Sequence, residues 1–93
     1  MSRPLVELQL RAGVLAKVQG ELRRECVDIA RNKSPSSAFD LASIAARKYG
    51  IDGMEALGVA KATRWLAVIR RDHGDQEFNR TVRTLTPTST RNV

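Results

Sequence analysis

Leu8, Leu15, Leu22 and Ile29 recur every seven residues, and Leu5, Ala12, Gln19 and Cys26 stand three residues before each of them. This a/d spacing, held over four repeats, suits a helix and not a strand, whose side chains alternate with period two. It predicts one long helix from about Pro4 to Arg31, with Ser2 as N-cap and Pro4 in the first turn, where its missing N–H costs nothing. Glu7 and Arg11, Glu21 and Arg24, and Asp28 and Arg31 fall at helical spacing on a solvated face. Gly13 and Gly20 oppose the helix by roughly 0.8–1 kcal/mol each, or admit a second helix at close range.

The rest of the chain keeps helical periodicity. Asn32 to Ser37 is a turn, because Pro35 pushes Ser34 out of the helical region. Ser37 with Asp40 resembles a capping box for a second helix over about Ala38 to Tyr49, with Leu41, Ile44, Ala45 and Lys48 on one face and Gly50 as C′ residue. Asp52 and Glu55 open a third helix that runs to about Asp72 and stops at His73-Gly74, with a stripe of Met54, Gly58, Ala62, Trp65 and Ile69. Asp75 caps a short fourth helix through Phe78, Val82 and Leu85. The expected fold is all-α: a long N-terminal helix packed as a hairpin on two shorter helices, a three- to four-helix bundle. Residues 1–85 form one domain. Residues 86–93 are a disordered tail, because seven of the thirteen residues from Thr81 onward are Ser, Thr or Pro.

Composition narrows the function. A chain of 93 residues buries only about 60–65% of its unfolded surface. Eleven of its apolar residues are Ala and only four residues are aromatic, so self-association is expected. One Cys (Cys26) and one His (His73) leave no disulfide framework and no Cys- or His-based metal site. Cys26 lies at an a position as a small apolar residue, and His73 complements the negative end of the third helix. No phosphate-loop or dinucleotide glycine pattern occurs, and the acidic pairs lie at helix ends, where they serve as caps. The expectation is a non-enzymatic protein without metal or cofactor. No apolar run reaches the ~18–20 residues of a membrane span, and no signal-peptide core opens the chain, so a cytoplasmic address is expected.

Sixteen Lys and Arg against ten Asp and Glu give a net charge of +6, and twelve of the cations are Arg, the residue suited to phosphate forks. Lys61, Arg64, Arg70 and Arg71 gather on the third helix, as in a nucleic-acid binder. Within it, Met54-Glu55-Ala56-Leu57-Gly58-Val59-Ala60-Lys61-Ala62-Thr63 has the rhythm of a helix-turn-helix, Gly58 permitting the turn. Residues 44–71 thereby resemble the helix-turn-helix of lambdoid phage cII-type transcriptional activators, which are basic proteins of about this size. The resemblance implies Lys61, Thr63 and Arg64 facing the major groove of double-stranded DNA, and Arg70 and Arg71 on phosphates. It also implies a homo-oligomer that meets the transcription machinery. The chain departs from that family at Arg64, where the family has an apolar residue, and in its long heptad helix. The alternative is a third helix that is continuous through Gly58.

The heptad stripe has two uses. Leu8, Leu15, Leu22 and Ile29 are an oligomer or partner interface, or they pack on helices of their own chain. The first use points to a helical protein-binding adaptor or inhibitor, an antirepressor-like or host-factor-binding protein of a phage or other mobile element.

Overall fold

The N-terminal segment is not one helix. In the computed structural model, which describes residues 3–86, it divides into α1 (Leu5–Ala12), a 3-10 segment (Gly13–Lys17) and α2 (Gly20–Asn32). An unbroken helix of about 28 residues would be about 42 Å long at 1.5 Å per residue. The molecule is 37 Å in its longest extent, so the ends of such a helix would find nothing to pack on. Val18 and Gln19 are extended, at ψ 149° and 140°, and turn the chain back. The Gln19 side chain then caps α2, accepting from the Leu22 N–H at 3.0 Å. Pro4, not Ser2, is the N-cap of α1. Ser2 and residues 87–93 of the expected tail lie outside the described residues.

Three further helices follow: α3 (Pro35–Lys48), α4 (Gly53–His73) and α5 (Asp75–Leu85). Among the described residues there are five α-helices and no strand. The longest is α4, at 21 residues, and not the first. α3 begins three residues before the expected Ala38. Ser34, not Ser37, is its N-cap, accepting from the Ser37 N–H at 3.4 Å, and Pro35 takes the first position, where φ is already set. α3 ends in a Schellman arrangement: Gly50 has φ +83°, the Ile51 N–H donates to the Ala46 carbonyl at 3.0 Å, and the Gly50 N–H to Arg47 at 2.9 Å. Gly74, at φ +93° and ψ 169°, joins α4 directly to α5 in a conformation open to glycine.

α4 is the hub, in contact with α1, the 3-10 segment, α2, α3 and α5. Its buried residues include Ala56, Ala60, Leu66, Ala67 and Ile69, which meet Leu8, Leu15 and Leu22 from the broken segment and Phe78 from α5 in one core. Against α3 the contact is made by small residues, Ala38, Ala42, Ala45 and Ala46, while Leu41 and Ile44 point to solvent. The expected apolar face of that helix is thus rotated. Two helices pack close when the facing side chains are small, and a Leu there would force them apart.

Polar groups fasten the corners. The Arg70 guanidinium donates to the Ala30 carbonyl at 2.9 Å and the Lys33 carbonyl at 2.7 Å, satisfying the end of α2. Lys48 pairs with Glu25 across α3 and α2, and Gln9 donates to Thr81 across α1 and α5. No helix among the described residues is long and apolar enough to cross a membrane.

Candidate nucleic-acid interface

α4 runs unbroken through Gly58, so of the two readings the continuous helix is the one formed and the helix-turn-helix turn is not made there. The turn lies earlier, at residues 49–52 between α3 and α4. These two helices form an antiparallel hairpin. Ser34 and Ser36 at the start of α3 line the same cleft as Arg71 and Asp72 at the end of α4.

The five expected contact residues on α4 separate by face. Lys61, Arg64 and Arg71 are exposed. With Leu57 and the buried Val68 they follow the helical repeat, so they share one side of the helix, covered at Val68 between Arg64 and Arg71. Lys61 and Arg64 pair with no carboxylate among the described residues. Arg71 donates to Asp72 at 2.9 Å, and that contact holds the Asp72 carboxyl below its ordinary range. The other two do not join the strip. Thr63 is 0% exposed and its hydroxyl donates to the Val59 carbonyl at 2.8 Å. It faces the core, where burial pushes the Cys26 thiol up, against a weaker lowering by Thr63 itself. Arg70 is held by the carbonyls of α2 and its adjoining turn. Thr63 therefore cannot face a groove, and Arg70 cannot reach a phosphate without releasing α2.

Residues outside α4 complete the surface. The guanidinium carbons of Arg3, Arg11 and Arg64 lie 5.1, 5.3 and 4.9 Å from the Trp65 ring centroid. Such cation–π contacts are worth about 0.5–1 kcal/mol each at exposed sites, and they hold long side chains in place. Arg3 and Arg11 share Glu7 at 2.8 and 3.1 Å. Beside Trp65 a cleft of about 710 Å³ opens between the start of α3 and the end of α4. Arg3, Arg64 and Arg71 line it together with Phe39, Trp65 and Val68. Asp40 and Asp72 also reach it, so the surface sets five cations against three carboxylates, counting Glu7. The part played by Arg3 and Arg11 was open to sequence reasoning only as helical spacing with Glu7. Nothing in the sequence places them over Trp65, more than fifty residues away.

The stripe of Leu8, Leu15, Leu22 and Ile29 is not a surface. The three leucines are fully buried and Ile29 packs against them, so the chain's own core takes up the expected interface. What α1 exposes on its opposite side is Val6 and Leu10, with Leu10 at 76%, and Val14 of the 3-10 segment is exposed as well. Their i, i+4, i+8 spacing was visible in the sequence but was overshadowed by the heptad. Among the described residues no group of three or more His, Cys, Asp or Glu is placed to hold a metal ion. The chain matches no protein-family model, no curated protein and no solved structure.

Proposed function

We propose that this protein is a small non-enzymatic regulatory protein that binds nucleic acid through phosphate contacts along the exposed strip of α4. The observation that carries this reading is the strip itself: Lys61 and Arg64 without a carboxylate partner, Arg71 further along, and Arg3 and Arg11 gathered at Trp65. The reach of the strip limits what it does. The major groove is about 12 Å wide and admits one helix of about 10–12 Å diameter. α4 touches every other helix, so much of its surface is taken up within the molecule and few of its side chains are free to read bases. Its exposed first turn carries Asp52 and Glu55, which repel phosphates. Binding is thus to the backbone, with little discrimination among sequences.

Fluorescence anisotropy of a labelled mixed-sequence oligonucleotide, single- or double-stranded, at ~50 and ~200 mM salt tests this. Binding should weaken steeply with salt. Replacing Lys61 and Arg64 with Ala should flatten the log–log salt slope by about 1.4 on a single strand or about 1.8 on a duplex. Absence of binding to either form at ~50 mM salt refutes the reading.

A separate observation favours the protein-binding alternative. The outward Val6 and Leu10 make α1 apolar on both faces, as in helices that are covered on both sides, and the exposed Val14 of the 3-10 segment follows them. Self-association through α1 is the form of this reading that needs no further molecule. Sedimentation velocity should then show an oligomer that V6E/L10E dissolves while the circular dichroism and melting temperature hold. A monomer at all concentrations would remove it.

A further inference from the structure

We propose that the cleft beside Trp65 receives an unstacked base of a single-stranded nucleic acid, with the adjoining phosphate on Arg64 and Arg71. This rests on the nucleic-acid reading above and names the form of nucleic acid. Three observations converge on it. First, α4 touches every other helix, so few of its side chains are free to reach bases stacked inside a duplex, whereas a single strand can turn a base outward. Second, the cleft has the size of a small-ligand site and a mixed lining, in which Phe39, Trp65 and Val68 stand with Arg64 and Arg71 and with the carboxylates of Asp40 and Asp72. Third, the Arg64 guanidinium carbon lies 4.9 Å from the Trp65 ring centroid, which puts a guanidinium beside an indole, and Arg64 pairs with no carboxylate among the described residues. Unstacked bases rest on aromatic rings and on guanidinium planes alike, whatever their sequence.

The strip supplies the path to the cleft. Lys61 to Arg71 rises about 15 Å along α4, the length over which one strand of B-form DNA carries about four phosphates. A strand following Lys61 and Arg64 arrives at Phe39 and Trp65 with Arg71 beyond it. The lining is formed by facing ends of two helices, so it is already present without ligand.

Trp65 is the chain's only tryptophan, so its fluorescence reports directly on the cleft. The test is a titration of the full chain at ~50 mM salt with three labelled probes of equal length: a mixed-sequence single strand, the same strand with abasic units, and its duplex. The single strand should quench Trp65 and bind about 5- to 150-fold more tightly than the abasic strand, which offers the same phosphates. Phe39→Leu, at a residue that also packs against the core, should reduce that ratio and leave abasic binding in place while the protein stays folded at the assay temperature; an unchanged ratio overturns base insertion. Equal binding of the abasic strand, or a duplex that binds as tightly with Trp65 unquenched, overturns base insertion while leaving phosphate binding intact. If none of the three probes binds, the nucleic-acid reading fails as well.

Discussion

The N-terminal segment and α4 carry the same blemish with opposite results. Each is a helical pattern interrupted by glycine, Gly13 and Gly20 in one and Gly58 in the other. The first breaks into α1, a 3-10 segment and α2, and the second stays continuous over 21 residues. A glycine costs only about 1 kcal/mol in a helix interior, too little to decide either outcome alone. What differs is the company along the helix. α4 has another helix against it along its length, so continuity buries Ala56, Ala60, Leu66 and Ile69 in succession. An unbroken first helix would overrun the molecule, and breaking it keeps Leu8, Leu15 and Leu22 all buried. Tertiary burial outweighs local propensity in both cases, in opposite senses.

The largest effect to look for tests whether the broken segment is as much core as the continuous helix. Leu15→Ala in the 3-10 segment and Leu66→Ala in α4 should each lower stability by about 2–5 kcal/mol in denaturant unfolding. A loss well under 1 kcal/mol at Leu15 alone would make residues 13–19 a loose strap. Next, Arg70→Met keeps the aliphatic stem but leaves the Ala30 and Lys33 carbonyls without their guanidinium, at a cost of about 1–3 kcal/mol. The same variant should speed hydrogen exchange in the last turn of α2, and unchanged exchange there would separate the two helix ends. Gly74→Ala forces a side chain to φ +93° and ψ 169°, a strain of about 1–3 kcal/mol. If its melting temperature does not fall, α4 and α5 meet through some other conformation. The smallest effect is the sharpest on continuity. Gly58→Ala finds open space and helical backbone, so it should stabilise by about 0.4–1 kcal/mol and raise the melting temperature by a few degrees. A lower melting temperature would instead place a turn at Gly58.

Helical class and most helix ends were legible because they rest on local chemistry. Gly50 ends α3 by the left-handed geometry expected of it, and Gly74 follows the last residue of α4. The buried face of α3 was legible only in part: Ala45 lies on the expected face and is buried, Leu41 and Ile44 are not. Leu41 and Ile44 are the more hydrophobic residues, yet the alanines go inside, because the gap between α3 and α4 has room only for small side chains. The surface was half legible. Lys61, Arg64 and Arg71 are exposed as helical spacing alone allows, but Thr63 and Arg70 share that helix and are engaged inward. Spacing tells which residues share a face and not which face the neighbours cover.

By itself the sequence determined that this chain is helical, where several of its turns fall, and that Leu8, Leu15 and Leu22 act together. Those properties follow from backbone conformation and from a repeat that any helix must display. Only the tertiary structure decided that the leucines face inward, that the first helix breaks while α4 does not, and that Arg3, Arg11 and Arg64 meet at Trp65. Each of these depends on which distant segments lie alongside, and burial energy settles that over the whole molecule at once.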